Sequence, residues 1–272
     1  MRILDSEETS AAIAAHRLDQ DRSAAFAFRD RGGDLAYDWH AHEHHQLLYA
    51  VSGVAQLEVA DARYVLPPQR AAWIPAGVRH RTLLSNVDGA SVFLPPASIP
   101  RGVDRVRIVA ATPLLREMVL YALRWPPPVG GQPVPLALSY FETFAMMCEE
   151  WLQADLRLEL PRASHPAVAR AMDYALENPA AATLTGAIAT ARLSERTFRR
   201  RFTEEAGMDW RSWLGQARIM AAMALLERGG RVTDVAAEVG FASLSAFADA
   251  FGRMVGESPA AYRRSAQNSE PR

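Results

Sequence analysis

The chain has 272 residues, a length that accommodates one large domain or two small ones. Hydrophobic residues make up 49% and charged residues 22%, an ordinary globular mixture that excludes wholesale disorder. The single cysteine, Cys148, excludes an internal disulfide framework and fits a reducing compartment. No apolar run reaches the ~18–20 residues needed to span a bilayer. The opening MRILDSEETS lacks the apolar stretch of a secretory signal. The expected location is the cytoplasm, with no membrane partner. The formal net charge of −1 does not advertise nucleic acid, but the charge is uneven. All 30 basic residues are arginine. Residues 1–162 hold 16 of them against 19 acids, and residues 163–272 hold 14 against 12. Four arginines fall between positions 192 and 200, and Arg201 follows, a local basic patch suited to phosphate.

From about 24 to 110 the chain consists of short runs broken by Gly and Pro. AQLEVADARYVL (55–66), AAWIPAG (71–77), HRTLLSN (80–86), ASVFL (90–94) and DRVRIVA (104–110) predict strands of a small antiparallel fold. Gly32-Gly33, Gly53, Pro67-Pro68 and the turn at 75–77 punctuate them. Six of the seven histidines lie in the first 80 residues. WHAHEHHQ (39–46) places His40, His42 and His44 at alternate positions, which on a strand point the same way. Glu43 then points to the other face. PAGVRH (75–80) ends in His80. Clustered imidazoles suit a divalent metal, a pocket that hydrogen-bonds an effector, or a polar cluster of structural use. The residues alone leave all three open.

This spacing resembles the cupin small-barrel pattern over about residues 24–95. The first cupin motif, His-x-His followed by an acid and a glycine, reads His40, His42, Gln46 and Gly53. The second, Pro-x-Gly-x-x-His, reads Pro75, Gly77 and His80, with Gln69 and Leu84 where its opening glycine and closing asparagine belong. A metal cupin places three imidazoles and a carboxylate on one ion, and here the acid position holds the neutral Gln46. The resemblance implies a small barrel with a site at His40, His42, Gln46 and His80. That site is for an effector, with a divalent metal as the cofactor to consider.

The period then shifts toward 3.6. TPLLREMVLYALRW (112–125) predicts a helix with Thr112 as cap and Pro113 in the first turn. PPPVGGQPVP (126–135) is a loop. LALSYFETFAMMCEEWLQADL (136–156) is a longer amphipathic helix, with Cys148 on its core side. Leu114, Met118, Leu136, Phe141, Phe144 and Met147 exceed what one short helix pair buries alone, so a dimer contact or signal relay is expected. ELPRASHP (159–166) reads as a boundary. The expected domains are a barrel at 1–110, a helical linker or dimerisation segment at 111–162, and an all-α domain at 163–272.

The last hundred residues use one design twice, at 184–207 and at 232–256. Each copy has a short Ala-rich helix, a tight turn, and a second helix opened by a hydroxyl residue, Ser194 or Ser243. Phe198 and Phe202, and likewise Phe247 and Phe251, are four apart and form inward stripes. The outer face of the first copy carries Arg196, Arg199 and Arg200, which can donate to guanine edges or clamp phosphates. The tail SAQNSEPR (265–272) is expected to fray.

LSERTFRRRFTEEAGMDWRSWLGQARIMAAMALL and VTDVAAEVGFASLSAFADAFGRMVGESPAAYRR resemble the DNA-binding domain of the AraC/XylS family of transcription regulators. The resemblance covers 165–264. It implies two helix-turn-helix units joined by a linker helix (209–227), with recognition helices entering successive major grooves about one turn (~34 Å) apart. It carries DNA contact onto Ser194, Arg196, Arg199 and Arg200 in the first unit, and onto Leu244, Ser245 and Asp249 in the second. Asp249 departs from the family, where a basic residue is common. It either accepts from a cytosine amine or caps or pairs within the protein.

The resemblance thus implies a sequence-specific regulator of double-stranded DNA. It is expected to be an activator working with RNA polymerase as a homodimer and answering an unknown small molecule. The chain shows no acid/base pair with a matched nucleophile, no phosphate loop and no nucleotide fingerprint, so an enzyme is not expected. The rival readings are a metal-dependent cupin enzyme with a regulatory DNA-binding domain, and a nonspecific architectural DNA-binding protein.

Overall fold

A computed structural model describes residues 2–15, 23–31, 35–99, 104–127, 134–153 and 159–268. In chain order its elements begin with β1 (Arg2–Ile3), α1 (Ser6–Ala15), β2 (Phe26–Arg31), β3 (Leu35–His40), β4 (His45–Val59), β5 (Ala62–Leu66) and β6 (Arg70–Ile74). β7 (His80–Leu94), β8 (Arg107–Ala110), α2 (Pro113–Ala122), α3 (Pro135–Trp151) and β9 (Glu159–Pro161) follow. The chain ends in α4 (Pro166–Glu177), α5 (Leu184–Ala191), α6 (Glu195–Ala206), α7 (Trp210–Glu227), α8 (Val232–Glu238), α9 (Leu244–Val255) and α10 (Pro259–Asn268). Two compact units result. One spans 1–59 and 66–157, the other 60–65 and 158–272.

In the first unit β7 is the spine. It pairs antiparallel with β4 along nearly its whole length, with β3 near its start and β2 near its end. β6 pairs the start of β4, and β8 pairs β6. The runs predicted at 80–86 and 90–94 are one strand of 15 residues. Residues 87–89 between them stay in the ladder, with Asp88 and Gly89 paired to both β2 and β4 and the Asp88 carboxylate gripped by two guanidinium nitrogens of Arg29 on β2. Strand β4 absorbs the mismatch through irregular register near Ser52, where Gly53 adopts φ 77°.

Helices α2 and α3 pack on this sheet. Leu115, Val119, Phe141, Phe144 and Cys148 share a core with Leu47, Tyr49, Trp73, Val92 and Val109. Burying each large apolar side chain contributes roughly 1.5–3 kcal/mol. The apolar surplus expected for a dimer contact therefore divides. Phe141 and Phe144 face the sheet, while Leu114 and Leu136 remain more than half exposed. Thr112 caps α2, its hydroxyl accepting from the Leu115 amide. Pro135, predicted as loop, opens α3, since proline at a first helical turn forfeits no hydrogen bond. That helix ends at Trp151, and positions 154–156 of the predicted helix lie outside the described residues. β1 and α1 had no periodic signal. β1 pairs with β3 in parallel, and Asp5 accepts from the amides of Glu7 and Glu8 at the start of α1.

In the second unit the stretch read as a boundary contributes a strand. β9 pairs antiparallel with β5, Arg63 opposite Leu160, and the Trp213 indole donates to the Pro161 carbonyl at 2.8 Å. Side-chain caps set the helix starts: Thr183 for α5, Ser194 for α6, Asp209 for α7 and Ser243 for α9. Two cores form. Phe198 and Phe202 pack with Trp210 and Trp213, and Phe247 and Phe251 pack with Tyr262. Helix α7 serves both, giving Trp213 and Met220 to the first core and Ile219, Met223 and Leu226 to the second. Helix α10 continues to Asn268, into the stretch expected to fray. Residues 269–272 lie outside the described residues.

Candidate DNA-binding surface and effector pocket

In the second unit, α5 and α6 form one helix-turn-helix and α8 and α9 the other. Helix α6 starts where the Ser194 hydroxyl accepts from the Thr197 amide. Its Phe198 and Phe202 are buried, which turns Arg196, Arg199 and Arg200 to solvent. Arg199 pairs with Glu195 and Arg200 with Glu204, each at 2.8 Å and four residues apart. Arg196 makes no ion pair among the described residues. Helix α9 repeats the plan, its start fixed by Ser243 accepting from the Ala246 amide. Phe247 and Phe251 are fully buried, and Leu244, Ser245 and Asp249 are exposed. Among the described residues Asp249 has no hydrogen-bond or ion-pair partner, so the capping or pairing role considered for it finds no partner there.

In the first unit the histidines sort differently from a single alternating strand. Strand β3 ends at His40 and β4 begins at His45, so His42 and His44 occupy the turn between them. His44 leaves the group. It is buried, its Nε2 facing the Ala24 carbonyl at 3.1 Å and its ring set edge-on to Phe26. His40 and His42 still converge, with His80. His40 and His80 are direct cross-strand partners on β3 and β7, with ring centroids 4.3 Å apart, and His42 lies 5.1 Å from His80. One ring nitrogen from each lies within 4.8 Å of the others.

The second nitrogen of each ring tells which atom converges. The Nδ1 atoms of His40, His42 and His80 lie 2.7, 2.8 and 2.9 Å from the carbonyls of Asp38, His44 and Val78. A carbonyl only accepts, so each Nδ1 carries the hydrogen. In the neutral ring this leaves Nε2 as a lone-pair donor. His80 Nε2 is buried without a hydrogen-bond partner. Burial holds the pKa values of His40 and His80 below the ordinary range, His80 well below, and the neighbouring imidazoles push His80 further. Backbone-anchored neutral rings with converging Nε2 atoms are what a metal-binding histidine set requires, so these residues fit a divalent ion. Gln46 lies beside them, its amide spanning from His42 Nε2, 3.0 Å from the amide Oε1, to the Ser91 hydroxyl, 2.9 Å from the amide Nε2.

His40, His42 and Gln46 line an open pocket with a cavity volume of about 50 Å³, while His80, fully buried, is not part of its lining. Its walls are apolar: Phe28, Leu48, Leu84 and Phe93, with Phe28 stacked on Phe93 at 5.4 Å. Tyr37 and Asp30 supply a second polar spot, the phenol donating to the carboxylate at 2.6 Å, and that bond with burial raises the tyrosine pKa. Sequence reasoning missed Phe28, Asp30, Tyr37, Thr82 and Ser91. Their signal is in strand register, with Phe28 opposite Ser91 and Tyr37 opposite Thr82, and register follows only once β7 is known to be continuous.

Residues 24–94 match the family described as AraC-like ligand binding domain, and residues 188–265 match that described as helix-turn-helix domain. The chain is 28% identical over 259 residues to the HTH-type transcriptional regulator NimR of Escherichia coli (strain K12), covering 92% of this chain and 91% of that protein. It is 34% identical to the DNA-binding domain of AdpA, described as a global transcriptional factor and solved with a target DNA. That match covers 40% of this chain and 99% of the domain, with a TM-score of 0.37. ToxT from Vibrio cholerae is 11% identical, over 89% of this chain and 97% of ToxT, with a TM-score of 0.38. With a ligand-binding family match in front, a helix-turn-helix match behind, and a regulator similar along nearly its whole length, the chain belongs to the AraC family of DNA-binding transcription regulators.

Proposed function

We propose that this regulator is an activator whose DNA binding answers a small molecule held in the pocket of the first unit. The observation that carries the reading is the pocket itself. It has apolar walls beside a cluster of backbone-anchored imidazoles, an arrangement that suits holding a small molecule. Sensing requires only that the ligand bind two protein states unequally. His40, His42, Gln46 and His80 are the effector residues in this reading. The three histidines would hold a divalent metal through Nε2, and the ion would supply a coordination position for a donor atom of the effector. The protein's own part is to keep the rings neutral and fixed and to give the ligand an apolar slot.

On DNA, α6 would read through Arg196, Arg199 and Arg200 with Ser194 at the backbone, and α9 through Leu244, Ser245 and Asp249. The sharing of α7 by both cores supports a fixed spacing between the two helices. The partners proposed are double-stranded operator DNA, a second copy of the chain and RNA polymerase, with a cytoplasmic location. Exposed Leu114 and Tyr121, seven apart on α2, and Leu136 on α3 support self-association. Sedimentation of the full chain checks it.

The deciding experiment is selection of duplexes from a randomised pool by full-length protein at physiological salt. Two enriched elements about one helical turn apart support both reading helices. Binding without enrichment, lost steeply with salt, would indicate phosphate contact alone. Repeating the selection with zinc, nickel or a chelator tests the sensor arm.

A further inference from the structure

Among the described residues, Arg192 is alone in having a positive φ without being glycine. It stands at φ 55°, ψ 43°, directly after α5. The other positive-φ positions are Gly53, Gly77, Gly207, Gly229, Gly240 and Gly256. A side chain in this conformation crowds the following carbonyl, and glycine or asparagine sits there at less cost. The arginine side chain gains nothing inside the protein to offset this, for it is exposed and makes no hydrogen bond or ion pair among the described residues. An unfavourable backbone conformation kept for an idle side chain points to an external use of that side chain.

Its surroundings say which use. Arg192 shares an open hollow with Arg170 of α4 and with Ala189 and Thr190 of α5. Arg170 is exposed, and its one hydrogen bond reaches the Ala191 carbonyl at 3.5 Å. Among the described residues neither guanidinium forms an ion pair, whereas Arg199 and Arg200 are each held by a glutamate. Arg192 also lies two residues before Ser194, the cap of α6. A helix that enters the major groove by its N-terminal end brings the preceding turn to the groove's edge, where phosphates stand on either side of a ~12 Å opening. We propose that Arg192, with Arg170, clamps a backbone phosphate of DNA at the edge of the groove read by α6. This is a positioning contact that carries no sequence information, and it rests on the reading of α6 as a recognition helix.

The test is Arg192→Gly, titrated by fluorescence anisotropy across a salt series against a duplex carrying the selected site and a scrambled duplex of equal length. The proposal expects a thermal midpoint equal to or above the parent's and a ~5-fold weaker affinity on both duplexes. It also expects a plot of log affinity against log salt shallower by about one. Arg192→Lys keeps the charge and should keep the slope. Arg192→Asn, which also tolerates this backbone, serves if the glycine variant folds poorly. Parent affinity and parent slope for the glycine or asparagine variant overturn the proposal, as does a loss confined to the selected site. Arg196→Ala separates the two readings. If it weakens binding while Arg192→Gly does not, the phosphate clamp fails and α6 stands. If neither matters, α6 does not enter the groove and the clamp falls with it.

Discussion

His42 Nε2 stands 3.0 Å from Oε1 of Gln46, while Nδ1 of the same ring is committed to the His44 carbonyl. A neutral ring anchored this way can only accept at Nε2, so its partner must turn the amide and present NH2, leaving the oxygen to the Ser91 hydroxyl. A doubly protonated ring would instead donate to the amide oxygen. Glutamine satisfies either arrangement, because its side chain carries both a donor and an acceptor. A glutamate at position 46 satisfies only a cation, whether a protonated ring or a metal ion.

That asymmetry predicts the behaviour of Gln46→Glu. The variant should bind zinc or nickel at least tenfold more tightly than the parent, since a carboxylate replaces a neutral amide beside three imidazoles. His80→Ala should lose the binding. Competition calorimetry with a chromophoric chelator reads both. Equal metal affinity in the parent and both variants would remove the ion from the sensor reading.

Arg200 is held by Glu204 and Arg199 by Glu195, so the recognition helix meets DNA with two of its arginines already partnered. An exposed pair of this spacing contributes only about 0.3–0.5 kcal/mol. Glu204→Gln should therefore tighten DNA binding about twofold to fivefold at low salt, the acid's repulsion of phosphate adding to the freed arginine. Arg200→Ala should cost about 1–3 kcal/mol, roughly 5- to 150-fold. Anisotropy titrations decide, and a weaker Glu204→Gln variant would mean that the ion pair orients the arginine rather than restrains it.

Asp249 is exposed on α9 without a partner among the described residues, on the face that carries Leu244 and Ser245. An acid directed at a polyanion is favourable only where it accepts a hydrogen bond, and in the major groove the cytosine amine offers one. Asp249→Asn should relax the preference at one base pair of the second element and leave the first element unchanged. A repeated pool selection shows this directly. An unaltered second element would place Asp249 outside the groove.

Cys148 is buried against the sheet, and burial pushes its thiol pKa well above the ordinary value. The thiolate is the reactive form, so a disulfide reagent should fail to label the native protein and should label it fully in denaturant. Since the chain has one cysteine, the labelling rate in increasing urea follows opening of the α2–α3 core. Rapid labelling of the native chain would contradict the packing.

The parts of this fold legible in the sequence are those fixed by local chemistry. Ser194, Ser243 and Thr112 announce their helices by capping, and the Phe198/Phe202 and Phe247/Phe251 stripes announce which face is buried. His40, His42 and His80 were legible as a set through the cupin resemblance. The reason given for His42 was not, because it converges from a turn rather than along a strand. What stayed hidden depends on distant partners. The stretch around Asp88 is a strand because β2 and β4 pair with it on either side, and Arg29 of β2 holds its carboxylate. Glu159–Pro161 is a strand only because β5 supplies its ladder. Asp30 and Tyr37 reach the pocket through pairing that no local pattern encodes.

The two helix-turn-helix units treat their left-handed turn residues in opposite ways, and this gives the last prediction. In the second unit the position is Gly240, at φ 87°, and a Cβ there would lie 2.7 Å from the Ala180 Cα and 3.1 Å from its carbonyl oxygen. These are backbone atoms, held in turn by Arg218, which donates to the Pro179 carbonyl at 3.0 Å. Gly240→Ala combines a left-handed penalty of about 1–2 kcal/mol with a backbone clash, so a loss of about 3 kcal/mol or more is expected, enough to lower the melting temperature of the helical unit by roughly 10 °C. The left-handed residue of the first unit is Arg192, where removing the side chain relieves the same penalty. Circular dichroism melts of the two variants should therefore move in opposite directions, Gly240→Ala down and Arg192→Gly level or up. A Gly240→Ala variant as stable as the parent would show that the loop at Ala180 gives way, and that close approach does not fix the turn of the second unit.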